Sequence, residues 1–155
     1  MRPRPRLAAL IGACLLAGAI AAGCTSPTVR STGVSYTCCD ESLVATSWHP
    51  GQQLRVAWTR TATVPAGQHF QAVTLSAVLT GPFSKATALK TTISQGHRGP
   101  LTAQSAKLTI SQDPPGSAVS VIIIPASAPP GFYNLETIES SGGGTVSGAT
   151  IITVG

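Results

Sequence analysis

Charge is scarce in this sequence. Only 10% of its 155 residues are Asp, Glu, Lys or Arg, and aromatic side chains make up 5%. Arg2, Arg4 and Arg6 hold three of the ten basic charges, so the formal +5 falls beyond residue 24 to seven basic against five acidic residues. Those that remain are scattered singly, as at Arg55, Arg60, Lys85, Lys90, Arg98 and Lys107. Nucleic-acid binding needs a clustered basic stripe, so no nucleic-acid partner is expected. Methionine occurs only as Met1 and cysteine four times, at Cys14, Cys24, Cys38 and Cys39.

The signatures of catalysis are missing too. A serine nucleophile would show G-x-S-x-G or S-x-x-K. The residues three before Lys85, Lys90 and Lys107 are Pro82, Thr87 and Gln104. A glycosidase needs two carboxyls across a cleft. The acids here are Asp40, Glu41, Asp113, Glu136 and Glu139. Glu136 and Glu139 are an odd number apart and face opposite sides of a regular strand. No acidic loop suits Ca²⁺, and Gly142-Gly143-Gly144 lies between strand signals, where it reads as a hairpin connection and not a phosphate loop. The expectation is a protein that is not an enzyme and carries no cofactor.

What is present starts with an export signal. Three arginines precede an uncharged run from Leu7 to Gly23, the layout of a secretory signal peptide. The run is at the lower limit for a bilayer span and rich in Ala and Gly, which argues against a permanent transmembrane anchor. It ends Ala21-Ala22-Gly23-Cys24, which resembles the lipobox of bacterial lipoproteins, although Ala and not Leu stands three positions before the cysteine. The resemblance implies cleavage before Cys24 and a diacylglycerol on its sulfur, giving the membrane as a partner through two acyl chains, enough for stable anchoring. Ordinary cleavage after Ala19-Ile20-Ala21 and secretion is the alternative. The segment after Cys24, Thr-Ser-Pro-Thr-Val-Arg-Ser-Thr-Gly, is polar and turn-rich, as a tether would be. The expected organisation is a leader over 1–23, a lipidated cysteine and tether over 24–40, and one domain over 41–155.

Within that domain no stretch carries a convincing helical period. Sixteen serines and nineteen threonines follow Cys24, and Thr suits a pleated surface. Leu54, Val56 and Trp58 alternate with polar residues after a His49-Pro50-Gly51 turn, and Val73, Leu75, Ala77 and Leu79 alternate up to Gly81-Pro82. Further strands are expected near Leu43–Trp48, Leu89–Ser94, Lys107–Ser111, Tyr133–Ile138 and Ala149–Val154. Another runs through Val119, Val121 and Ile123 after Asp113-Pro114-Pro115-Gly116. Ile122 and Ile124 face the other way, so that strand is covered on both sides or presents an apolar patch at Ile122 and Ile124. About eight short, evenly spaced strands imply an all-β sandwich or barrel. Pro129-Pro130-Gly131-Phe132-Tyr133-Asn134-Leu135 resembles the approach to strand F of bacterial immunoglobulin-like or fibronectin-III-like domains. The resemblance implies a single antiparallel sandwich of about 7–9 strands. Tyr133 would be its tyrosine corner, and Leu135 and Val56 would stand where the inter-sheet disulfide would be.

Two adjacent cysteines, Cys38 and Cys39, are the chemical oddity. An exported protein meets an oxidising compartment. If Cys24 is lipidated, these two have only each other. Across a trans peptide their α-carbons would sit about 3.8 Å apart, less than disulfides usually allow. A Cys38–Cys39 bridge is still the expectation; a free Cys24 could instead pair with either and leave an odd thiol. The alternative is a soft-metal or redox-handling module in which Cys38 and Cys39 act with His49, or with His69 or His97. Trp48, beside the turn, is the one aromatic that is a candidate for a binding surface, with a plug at the core edge as the favoured reading; Trp58 falls on the buried face. A binding or structural module of the cell envelope, with an envelope protein or glycan as partner, is the leading expectation. It would be membrane-anchored or else secreted.

Overall fold

The computed structural model describes residues 34–61, 64, 69–111 and 117–155. The leader, Cys24, the start of the tether and the Asp113–Gly116 turn lie outside these residues. The chain order is β1 (Tyr36–Thr37), α1 (Glu41–Ala45), β2 (Ser47–Trp48), β3 (Gln53–Arg60), β4 (Val73–Phe83) and α2 (Ala86–Ser94). It continues with β5 (Leu101–Gln104), β6 (Leu108–Ile110), β7 (Ala118–Ile123), β8 (Gly131–Ser141) and β9 (Gly144–Val154). The fold is an all-β sandwich. One sheet has the order β1-β3-β7, the other β2-β9-β8-β4-β5 with β6 also on β4.

Strict alternation builds the core. Leu54, Val56 and Trp58 of β3, Val73, Leu75, Ala77 and Leu79 of β4, and Tyr133 and Leu135 of β8 all point inward and are buried. The two sheets share one apolar cluster. Val56 and Leu135 both lie in it, and Trp58 finds a buried partner for its indole N–H in Ser120 Oγ at 2.9 Å. His49-Pro50-Gly51 forms the expected turn: Gln52 N–H donates to His49 O at 3.1 Å, and Gly51 has φ +85°, as position three of a type II turn requires.

The structure corrects several expectations. Residues 89–94 belong to helix α2, not a strand. Ala, Leu and Lys favour a helix there, while Thr91 and Thr92 hydroxyls donate to the carbonyls of Thr87 and Ala88, both at 3.0 Å. Leu43–Ala45 is likewise helical, in α1, and only Ser47 and Trp48 extend. The Gly81-Pro82 pair does not stop β4. The strand runs on to Phe83 through a register shift, and a Cβ at Gly81 would sit 2.7 Å from Tyr133 Cδ1. Strands β1 and β5 were not expected. The ordered domain also begins before residue 41, because Val34 and Tyr36 are in the core and β1 pairs with β3. Finally, β2 runs parallel to β9, so the sandwich is not antiparallel throughout.

Tyr133 ties the β8 approach to its upstream loop: its hydroxyl donates to Pro129 O at 2.6 Å, and burial pushes its pKa above the usual value near 10. Only the protonated phenol can donate this bond. A raised folded-state pKa gives stability that is present below the unfolded pKa and lost as pH rises through the folded one. Tyr133→Phe is therefore expected to lower stability at neutral pH by about 1 kcal/mol. Denaturant titrations at increasing pH should show the gap to wild type narrowing above about pH 10. A gap that stays constant through that range would be incompatible with a buried donating phenol.

Candidate functional site

The residues singled out by their chemistry converge at one end of the three-stranded sheet. Cys38 and Cys39 form a disulfide with each other, across a cis peptide. The next residue, Asp40, caps α1: its Oδ1 accepts from Leu43 N–H at 3.1 Å and from Ser42 Oγ at 2.7 Å. These two bonds, the Ser42 hydroxyl first, hold the Asp40 carboxyl below its usual range. Leu43 is the buried residue of this short helix. Its carbonyl, one of the unpaired groups at a helix C-terminus, accepts from Trp48 Nε1–H at 3.1 Å. Trp48 is thereby fixed as a half-buried wall, with its polar edge turned to the helix.

The resulting cleft has a volume of about 420 Å³ and is walled by the disulfide, Asp40 and Trp48 on one side and by Arg55, Ala57 and Thr59 of β3 on the other. Thus the structure brings Cys38, Cys39 and Trp48 together. Arg55 joins them because it lies on the outward parity of β3, an assignment the alternation made legible although no motif marked it.

His49 does not join this group as a ligand. Its Nδ1 pairs with the carbonyl oxygen of Gly155, and its backbone N–H donates to Gln52 Oε1 at 2.8 Å. His69 and His97 are exposed elsewhere. Among the described residues no three His, Cys, Asp or Glu side chains are grouped for a metal ion. The two sulfurs are bonded to each other, so neither is a thiolate ligand in this state.

Ile122 and Ile124 were candidates for an exposed apolar patch, and the structure places neither at the surface. Both are fully buried, while Val119, Val121 and Ile123 are exposed, Ile123 by 62%. The reason is register: Leu54 and Val56 of β3 oppose Ile122 and Ser120, so the parity of β3 carries the even-numbered residues of β7 inward. An exposed apolar row does exist on β7, one residue out of phase. Val121 stands directly across from Arg55, and Val119 from Ala57. The apolar row and the cleft therefore share the outer face of one sheet.

Glu136 and Glu139 do face opposite sides of β8. Glu139 Oε2 accepts from Tyr36 N–H at 2.8 Å, fastening β1 across the sandwich. Glu136 lies on the outer face, where Arg98 Nη2 donates to its Oε1 at 2.8 Å. The sequence did not mark Arg98 and Glu136 as a pair, since they come from different elements. No family model matches the chain, and a search of curated proteins found no match to it. No helix among the described residues is long and apolar enough to cross a membrane.

The bridge makes a direct prediction. Alkylation of the denatured but unreduced protein should modify neither Cys38 nor Cys39, and prior reduction should expose both, read by peptide mass. Two modified thiols without reductant would return the pair to the metal or redox alternative.

Proposed function

We propose that the protein is a non-catalytic cell-envelope lipoprotein whose immunoglobulin-like sandwich serves as a binding module. Cys24 would carry the diacylglycerol, and the polar segment after it would act as a tether. The signal-peptide layout and the Ala21-Ala22-Gly23-Cys24 box support the anchor. The Tyr133–Pro129 hydrogen bond and the buried Val56 and Leu135 support the immunoglobulin-like affinity.

The observation that carries the binding role is the row Val119, Val121 and Ile123. It lies on β7, an edge strand of its sheet. Natural edge strands are usually blunted by Lys, Pro or a bulge. The β7 residues Ala118–Ile123 include neither Lys nor Pro and pair with β3 without a register shift. An apolar row beside a polar-walled cleft suits an envelope protein that adds a strand or lays an apolar face against it.

Two experiments test this reading. Intact mass of the protein from its host's membrane fraction should show cleavage before Cys24 and the added mass of diacylglycerol; a soluble, unlipidated product cleaved after Ala21 would remove the anchor. Photo-cross-linking residues placed at 121 and 123 should each give one adduct of the same defined mass in the host envelope, and none should form from position 145. Equal labelling at all three positions, or none, would count against a specific partner on β7.

A further inference from the structure

Helix α2 closes a second cleft, on the large sheet. Gly96 N–H donates to Ile93 O at 2.9 Å and His97 N–H to Thr92 O at 3.0 Å, the paired closure of a Schellman motif. The chain then delivers Arg98 to Glu136. This cleft holds about 370 Å³ between Ile93, Arg98, Glu136 and Ser147. The unpaired Glu136 Oε2 and Asn134 Oδ1 are sealed behind its wall, so neither meets anything that enters. The first cleft differs, because its wall holds a bond that can be exchanged.

Cys38 and Cys39 are each half-buried, at the margin of the core and in the lining of the 420 Å³ cleft. A thiolate arriving from solvent reaches the bridge without the sandwich having to open. The cleft carries one cation, Arg55, and one anion, Asp40, so its charge does not turn a thiolate away. Being neighbours in sequence, the two cysteines close no loop between distant elements. A disulfide stabilises chiefly by closing such loops, so this bridge adds little to the stability of the sandwich. Its hold is local. It joins the end of β1 to Asp40, whose carboxylate caps α1. Helix α1 has five residues, of which only Leu43 is buried, and a helix so short does not persist without tertiary support. The Cys38–Cys39–Asp40 unit fixes its start, and the Trp48 indole on Leu43 O fixes its end. Opening the bridge returns conformational freedom to the two residues ahead of the cap.

We propose that the Cys38–Cys39 bridge is a thiol–disulfide exchange site for a dithiol protein, and that its state switches α1 between ordered and loosened. One thiolate of the dithiol attacks a bridge sulfur, the S–S bond breaks, and the departing sulfur takes the proton the attacking thiol lost. The dithiol's second thiol, deprotonated in turn, attacks the mixed disulfide and releases the other cysteine as a thiol. Two electrons pass to the cysteine pair, and the dithiol leaves as a disulfide. Reduction loosens the wall of the cleft while the sandwich stays folded. The inference rests on the bridge and α1 alone, so it holds whether the chain is anchored or secreted.

The test uses the purified full chain with its bridge closed, under native conditions in detergent. The probes are dithiothreitol and, as the protein dithiol, reduced thioredoxin. Alkylation and peptide mass after an acid quench should show both cysteines reduced by either probe. Hydrogen exchange read by mass should then accelerate about tenfold or more over residues 40–48, with residues 131–141 unchanged. The double variant Cys38→Ser, Cys39→Ser should exchange as the reduced protein does, with no reductant present. A bridge that opens only after denaturant is added would overturn the exchange site. Reduction by dithiothreitol but not by thioredoxin would overturn the protein partner. Unchanged exchange over 40–48 after reduction would overturn the switch. Faster exchange over 131–141 as well would make the bridge a staple of the whole fold and overturn the switch equally.

Discussion

Strand β8 is hydrogen-bonded along its length on both sides, to β4 and to β9, and the parity of its residues organises much of the molecule. Tyr133 and Leu135 enter the core because Leu79 and Ile152 flank them inward. Asn134 and Glu136 must then emerge on the outer face. A shift of one residue would exchange these sets, burying a carboxylate between the sheets and presenting a tyrosine to α2. The hydroxyl of Tyr133 adds a pin at the start of the strand, through Pro129. With β8 held in this register, Glu139 reaches β1 at one end of the sandwich and Glu136 reaches Arg98 beyond the other sheet face.

Both clefts arise where a short helix interrupts the plain sandwich. Helix α1 lies beside the β1–β3 edge, capped by Asp40 at its start and closed by the Trp48 indole at its end. It converts the outer face of the small sheet into a walled surface. Helix α2, anchored by the buried Leu89, does the same on the large sheet, where a bare face would have left Asn134 and Glu136 hydrated. The difference in their linings follows from what each helix adjoins. The first cleft shares its sheet face with the apolar row on β7, across β3. The second borders two acceptor-bearing side chains on β8.

The disulfide between Cys38 and Cys39 belongs to the first of these surfaces. It immediately precedes Asp40, so the bridged pair and the helix cap form one continuous local unit. Val34 and Tyr36 on its N-terminal side are in the core. The bridge therefore sits within the folded domain and not in a tether ahead of it.

The sequence by itself determined the all-β class, because period-two alternation in β3 and β4 and short turn-bounded β-branched runs elsewhere mark strands. It also determined the hairpin turn before β9, the type II turn at Gly51, the inward Trp58 and the bond from Tyr133 back to upstream backbone, all of them set by residues close together in the chain. Tertiary structure decided the rest. The run Val119 to Ile124 is apolar on both parities, so nothing local says which face is core; pairing with β3 settled that Ile122 and Ile124 go in and Val121 and Ile123 stay out. Leu89–Ser94 is rich in β-branched residues, yet the buried Leu89 anchors it on the sheet and the Gly96 closure ends it as a helix. Arg98 and Glu136 are 38 positions apart. Their pairing, and the cleft it closes, depends on where α2 lays the chain down, which no local pattern encodes.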